Sequence, residues 1–263
     1  MTDIIPNRYL GVFESERLKI QLFMNTVRDF FVLNPVLNAE PGIVHSVKCR
    51  IKDPRHLLGK VARKNSQDPL NPILPENLLA RVTDLAGVRV LHLYQQQYRD
   101  IAREIDKQIS SGDWCLYEPP KAYTWDPEAR AFFESMNLAV VVKESSYTSV
   151  HYVVKPRVDS PITCEIQVRT LFEEIWGEVD HALNYPEACK SIACVEQLRV
   201  LSKLVGAGSR LGDAILRTYL AWKDPIETLR ETRETRETRE AGDNIHANSD
   251  SKSTDASDHA NNV

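Results

Sequence analysis

Several short segments carry polar side chains at every second position, a spacing that places them together on one face of a β-strand. In ITCEIQVR, the residues Glu165, Gln167 and Arg169 alternate with cysteine and aliphatic residues. A carboxylate, an amide and a guanidinium on one face can bind phosphate groups or a metal ion.

Two further segments show the same alternation. YTSVHYVV places Tyr147, Ser149 and His151 on one face, and IVHSVKCRIKD places Arg50 and Lys52 together. For any one strand, a solvated outer face is an alternative explanation. If the three faces converge, they form a cleft that binds phosphates and a base.

Asp84 stands just ahead of the apolar segment VRVLHLY. An aspartate at such a position often closes a turn or caps a helix. Its alternative role is to bind Mg²⁺ together with Glu165, since one or two carboxylates and substrate phosphates suffice for that ion.

The elements that must position these residues are interleaved strands and helices. Only three residues separate the strands 138–143 and 147–155, which predicts a hairpin. Because other links are also too short for a crossover helix, we expect an α+β fold: a mixed, largely antiparallel β-sheet flanked by helices. The predicted strands are 43–53, 88–94, 138–143, 147–155 and 162–169.

Helix starts are indicated by Asp53-Pro54, by Asp126-Pro127 and by the capping box of Thr170 and Glu173. An amphipathic helix is also expected over 13–33. Its apolar stripe is predicted to comprise Leu18, Leu22, Val27 and Phe31.

The end of the chain differs from the rest in composition. Three ETR triplets fill 231–239, with Arg preceding Glu at i,i+4, the weaker orientation, so at best a frayed helix is expected. Residues 241–263, rich in Asp, Asn and Ser, are expected to be disordered. The predicted division is a helical segment 1–42, a domain 43–190 that holds the candidate residues, a helical segment 191–229 and a tail 230–263.

Charge and composition limit the function classes. The net charge is −4, of which residues 241–263 carry −3 through four Asp and one Lys. The near-neutral remainder argues against strong non-specific nucleic-acid binding. The five cysteines include no CxxC pair, which favours free thiols. No apolar run or signal pattern indicates a membrane, so a cytoplasmic protein is expected.

Four segments together, in order, resemble the synthetase domain of the RelA/SpoT alarmone enzymes: RIKD with HLLGKVARK, then TDLAGVRV, YTSVHYVV and EIQVRTLFEEIWGEVDHALNY. The resemblance implies a nucleotidyltransferase-like fold and a GTP diphosphokinase. Such an enzyme moves the β,γ-pyrophosphate of ATP to the ribose 3′-hydroxyl of GTP or GDP, making the alarmone (p)ppGpp. No hydrolase pattern precedes the domain, which implies a small, synthetase-only protein, and a homo-oligomer is compatible with this.

Residue roles follow from the same resemblance. Asp84 and Glu165 would hold Mg²⁺, and Glu165 would also accept the proton of the 3′-hydroxyl. Tyr147 would stack on the acceptor base. The residues implied to bind the ATP phosphates are Arg50, Lys52, Lys60 and Arg63, with Lys64 a weaker candidate. The other residues implied on the acceptor side are His151, Gln167 and Arg169, which would bind phosphates or orient the carboxylate.

The segments depart from the family pattern at two positions. His56 replaces the usual serine, and Ser146 replaces the usual glycine before Tyr147. These two changes leave the identity of the acceptor undetermined. A toxin that modifies the 3′ end of tRNA needs a wide basic surface, which the near-neutral body disfavours. An adenosine acceptor stays open because a tyrosine stacks on any purine. An inactive nucleotide-binding module is disfavoured, since Asp84, Glu165, Arg50 and Lys52 are all present.

Overall fold

A computed structural model describes the backbone of residues 4–184 and 188–250 and the side chains of 6–184 and 188–223. The sheet and all candidate site residues lie in one compact unit that ends at Asp213, and a second unit begins at Ala214. The helices are α1 (Ile4–Leu33), α2 (Pro35–Asn38), α3 (Pro54–Gln67), α4 (Leu78–Arg81), α5 (Tyr98–Ser110), α6 (Pro127–Glu134), α7 (Leu171–Asn184) and α8 (Ile192–Asp250). The strands are β1 (Val44–Ile51), β2 (Ala86–His92), β3 (Cys115–Thr124), β4 (Ala139–Val142), β5 (Ser149–Lys155) and β6 (Cys164–Thr170).

The six strands form one mixed sheet in the order β1-β2-β6-β5-β3-β4. The pairs β1–β2, β6–β5 and β5–β3 are antiparallel, whereas β2–β6 and β3–β4 are parallel. The α+β fold with a mixed, largely antiparallel sheet is therefore confirmed.

The predicted hairpin between residues 138–143 and 147–155 is wrong. β3 lies between β4 and β5 and pairs with both, so the short link passes over one strand instead of joining neighbours. The alternation in sequence did not predict β3, because Pro119 and Pro120 interrupt its pattern. Its pairing with β5 is irregular between Leu116 and Lys121, which accommodates the two prolines.

One face of the sheet forms the core. Val150, Tyr152 and Val154 of β5 are buried beside Ile166 and Val168 of β6. Helices α1 and α5 supply much of the remaining core, and the Tyr98 and Tyr152 hydroxyls are hydrogen-bonded at 2.6 Å. The alternation predicted for β5 and β6 is confirmed for these five residues, and Glu165 and Gln167 lie on the opposite face. Val153 is an exception, because it alternates with Tyr152 and Val154 and yet is buried.

Helix α1 starts earlier than predicted and presents a different stripe to the core. Phe13, Val27 and Phe31 are fully buried, whereas Leu18 is 69% exposed and Leu22 58% exposed. The predicted stripe was therefore half wrong, because Leu18 and Leu22 lie on the side of the helix turned away from the sheet.

The predicted helix starts are confirmed. Asp53 accepts hydrogen bonds from the backbone N–H groups of Arg55 (2.8 Å) and His56 (3.3 Å). At the start of α7, Thr170 N–H donates to Glu173 and Glu173 N–H donates to the Thr170 hydroxyl, the two bonds of a capping box.

Helix α8 continues to Asp250, through the three ETR triplets and the first ten residues that were expected to be disordered. A helix over 231–239 agrees with the helical expectation for the ETR triplets, whereas the disorder expected from residue 241 is wrong over 241–250. Residues 251–263 lie outside the described residues. All five cysteines are free thiols, as expected. Within the described ranges, no helix combines the length and apolar character that a bilayer span requires.

Candidate active site

The polar face of the sheet opens into a cleft of about 1150 Å³, bordered by α3 and α7. Nine of the ten residues proposed from the sequence line it, and the tenth, His151, contacts two of them. The weaker candidate Lys64 is not among the described lining residues. The lining candidates are Arg50, Lys52, Lys60, Arg63, Asp84, Tyr147, Glu165, Gln167 and Arg169.

Strand register explains this convergence. Across the parallel pair β2–β6, Glu165 lies beside Gly87, and across the antiparallel pair β5–β6, Gln167 lies opposite His151. On the other edge of β2, Gly87 lies opposite Arg50. Side chains of β1, β2 and β6 thus project into one space, and His151 of β5 lies against Glu165 beside it.

A lysine–aspartate–lysine arrangement occupies one side of the cleft. Asp84 Oδ2 is 2.9 Å from Lys52 Nζ, just beyond β1, and Oδ1 is 2.7 Å from Lys60 Nζ on α3. Burial alone would raise the pKa of Asp84, but the charges and hydrogen bonds of the two lysines outweigh it and lower the pKa to about 2. Asp84 is therefore ionised at neutral pH. Its side chain binds two lysines instead of capping a turn.

Glu165 is the second carboxylate of the cleft. Its Oε1 lies 3.1 Å from His151 Nδ1, and its Oε2 accepts a hydrogen bond of 2.7 Å from Gln167 Nε2. Burial opposes ionisation of Glu165, but the hydrogen bond and charge of His151 outweigh it, so the net shift of its pKa is downward. His151 and Gln167 therefore hold Glu165 in one orientation and ionised.

Tyr147 extends this chain of polar groups. Its hydroxyl is 2.9 Å from His151 Nε2, and its ring lies 5.7 Å from the guanidinium carbon of Arg169. Ser146, immediately before it, adopts a left-handed conformation with φ 58°. That conformation favours glycine, so the serine at this position keeps the turn at a cost on the order of 1 kcal/mol.

The sequence reasoning assigned no role to four charged residues near the cleft: Lys48, Arg89, Glu174 and Glu178. Arg89 Nη1 donates to both Glu174 (2.8 Å) and Glu178 (2.6 Å), which are four residues apart on α7. The signal was available, because Lys48 shares the polar face of its strand with Arg50, Arg89 interrupts the apolar segment VRVLHLY, and Glu174 and Glu178 share a helix face.

The residues present suit a divalent cation of the Mg²⁺ type. Asp84 and Glu165 both line the cleft, both are ionised, and Asp84 lies close enough to Glu165 for its charge to oppose ionisation there. Two carboxylates are enough protein ligands for Mg²⁺ when substrate phosphates supply further oxygen ligands. Across the described residues there is no cluster of three or more potential metal-ligating side chains.

Such a cleft can bind two phosphate-bearing groups around a central pair of carboxylates. One side has the cations of β1 and α3, and the other has an aromatic ring beside an arginine. The fold and site define an α+β protein with a mixed six-stranded sheet and a cleft lined by cations and carboxylates.

Comparison with known proteins agrees with this class. Residues 49–190 match the profile of a family described as "Region found in RelA / SpoT proteins". Because the match covers more than half of the chain, this protein belongs to the RelA/SpoT family. A comparison with individual curated proteins gave no match.

Solved structures share the fold at low sequence identity. Small alarmone synthetase 1 from Bacillus subtilis bound to its product pppGpp is similar with a TM-score of 0.59 and 20% identity, over 80% of this chain and 98% of that one. Its AMPCPP-bound structure gives a TM-score of 0.55 and 15% identity, over 82% and 99%. A GTP pyrophosphokinase family protein from Streptococcus pneumoniae gives 0.58 and 18%, over 74% and 88%.

Proposed function

We propose that this protein is a pyrophosphotransferase that moves the β,γ-pyrophosphate of ATP to the ribose 3′-hydroxyl of GTP or GDP. The observation that carries the proposal is the convergence, in one cleft, of two ionised carboxylates, a row of cations and the Tyr147 ring. Family membership supports it, and so do the pppGpp and AMPCPP named for the structures that share its fold.

The reaction forms one bond and breaks one bond. The 3′-oxygen of the acceptor ribose attacks the β-phosphorus of ATP, the bridging bond between the α- and β-phosphates breaks, and AMP leaves. The proton of the 3′-hydroxyl goes to the Glu165 carboxylate, which His151 and Gln167 hold in place. Arg50, Lys52, Lys60 and Arg63 neutralise the donor phosphates, because catalysis of such transfers rests on positioning and charge stabilisation.

Asp84 and Glu165 would hold Mg²⁺, which supplies charge neutralisation on the phosphate oxygens when bound. Without a metal, Lys52 and Lys60 neutralise Asp84. Since a lysine is a flexible point charge, these two side chains can move from Asp84 to the donor phosphates when a substrate arrives.

The acceptor is assigned as a guanosine nucleotide from the family resemblance and the Tyr147 platform. Stacking alone does not distinguish guanine from adenine. An acceptor adenosine nucleotide is therefore the second candidate, and tRNA is third because the body of the protein is nearly neutral.

A label-transfer experiment tests the proposal. The purified protein is incubated with γ-labelled ATP and Mg²⁺ and is offered GDP, GTP, ADP and bulk tRNA in separate reactions. We expect label in the product of GDP or GTP. Label only in the ADP or tRNA reaction would assign the alternative acceptor, and no acceptor-dependent label in any reaction would reject the proposal.

A further inference from the structure

A buried ion cluster lies where α7 crosses β2 and β6. Glu174 on α7 is at its centre, with a side chain only 7% exposed. Its Oε1 accepts hydrogen bonds from Lys48 Nζ (2.9 Å) and Arg89 Nη1 (2.8 Å), and its Oε2 pairs with Arg169. The three cations line the cleft, whereas Glu174 is not among the described lining residues. Glu174 therefore acts on the cleft through the cations that it holds.

Arg169 depends on this cluster for its position. Its side chain is 3% exposed, and its Nε has no hydrogen-bond partner among the described residues, so the pair with Glu174 anchors the guanidinium. The guanidinium carbon lies 5.7 Å from the centre of the Tyr147 ring, within the range of a cation–π contact. The orientation of Arg169 therefore influences the ring proposed to stack on the acceptor base.

Gly177 leaves the space that the Arg169 guanidinium occupies. A Cβ atom at this position of α7 would lie 2.7 Å from Arg169 Nη1 and 3.4 Å from its central carbon. Glycine in a helix interior is otherwise unfavourable relative to alanine. The close approach of the guanidinium gives a physical reason for a glycine here.

We propose that Glu174 and Gly177 are positioning residues for a purine acceptor: they fix the Arg169 guanidinium against the Tyr147 ring and so pre-organise the stacking platform. This inference rests on the proposed function, since it adopts the assignment of Tyr147 to the acceptor. The new element is that two residues of α7, outside the ring itself, fix the position of the stacking platform. The donor side, on β1 and α3, depends on other ion pairs.

The test measures equilibrium binding, which does not require turnover. GDP and, separately, α,β-methylene-ATP are titrated calorimetrically into the parent protein, Glu174→Gln, Gly177→Ala and the double variant. We expect each single substitution to weaken GDP binding by about tenfold, because a buried cation loses its anchor or its space, and to leave binding of the ATP analogue unchanged. The double variant should bind GDP no more weakly than Glu174→Gln alone, because both substitutions act through Arg169.

Two controls separate positioning from general stability. Glu174→Asp keeps the negative charge and should restore part of the GDP affinity lost in Glu174→Gln. Gly177→Ala leaves Glu174 and its bonds to Lys48 and Arg89 unaltered, so an effect shared with Glu174→Gln is assigned to Arg169. Unchanged GDP binding in the single variants would overturn the inference. So would a parallel loss of both ligands with a lowered melting temperature, additive losses in the double variant, or a parent that does not bind GDP.

These outcomes are distinct from failure of the proposed function. A parent protein that binds GDP and shows the expected pattern, but transfers no label, would reject the reaction and keep the positioning role. A parent that transfers label to GDP, with variants that bind GDP normally, would keep the reaction and reject the positioning role.

Discussion

Two carboxylates in one cleft are held by different partners, and this difference sets what each can do. Asp84 lies between two lysines, whereas Glu165 is held by a histidine and an amide. A carboxylate flanked by two lysines suits a metal ion beside phosphates, because the lysines attract the phosphates and the carboxylate attracts the metal. A carboxylate held in one orientation by a histidine and an amide suits proton transfer.

The first prediction concerns these two residues. Asp84→Asn and Glu165→Gln should each lower turnover by orders of magnitude, since each removes negative charge from the reacting centre. The acceptor-dependent transfer of label from γ-labelled ATP measures this effect. Near-parental turnover in either variant would contradict the assignment of that carboxylate.

Asp84 should also make stability depend on pH. Its folded-state pKa of about 2 lies below its ordinary value of 3.8, so the ionised form stabilises the fold above pH 3.8. That contribution, on the order of 2 kcal/mol, is lost as the pH falls from 3.8 towards 2. In urea unfolding at neutral pH, the free energy of unfolding should be higher for the parent than for Asp84→Asn. The two values should converge as the pH falls through this acid range. A constant difference in unfolding free energy would contradict the pairing.

Tyr147 gives the third prediction at this scale. If its ring stacks on the acceptor base, Tyr147→Ala should cost ~1–3 kcal/mol of acceptor binding, roughly a 5- to 150-fold rise in acceptor KM. Tyr147→Phe keeps the ring and loses the hydroxyl contacts to His151 and Ser149, so it should cost less. The KM for ATP should change little in both variants. A larger effect on ATP than on the acceptor would contradict the stacking role.

At the scale of elements, alternation predicted the core-facing residues of β5 and β6 well, since Val150, Tyr152, Val154, Ile166 and Val168 are all buried. Alternation did not predict β3, because two prolines interrupt its pattern. It also did not predict that β4 and β5 are separated, because β3 lies between them. The candidate residues could be identified from the sequence, but Glu174 and Arg89 acquire their importance only from α7 crossing the sheet. Pairings between distant elements leave no local pattern.

Helix packing gives a prediction with a matched control. A Cβ at Gly208 of α8 would lie 2.7 Å from the Phe172 ring on α7, whereas nothing lies within 4 Å of a Cβ at Gly11 of α1. Gly11→Ala should therefore raise the free energy of unfolding by ~0.5–1 kcal/mol through helix propensity. Gly208→Ala should lower it, because the ring must shift. Equal gains from both substitutions would show that α8 does not pack closely on α7.

For the whole molecule, we expect the domain that holds the cleft to fold and function without the end of the chain. Residues 241–263 contain few apolar side chains and should contribute little to a packed core. Removing them should leave the melting temperature and the specific activity close to those of the parent. A large loss of either would show that this segment packs against the domain.

The central claim is that pyrophosphate moves as one unit from ATP to a ribose hydroxyl. The most direct measurement follows α-labelled and γ-labelled ATP in parallel reactions with GDP and Mg²⁺. We predict that α-label appears in AMP and γ-label in the guanosine product, in equal amounts, and that both are lost in Glu165→Gln. Recovery of the α-label in ADP, or of the γ-label in free pyrophosphate with no labelled guanosine product, would contradict the account.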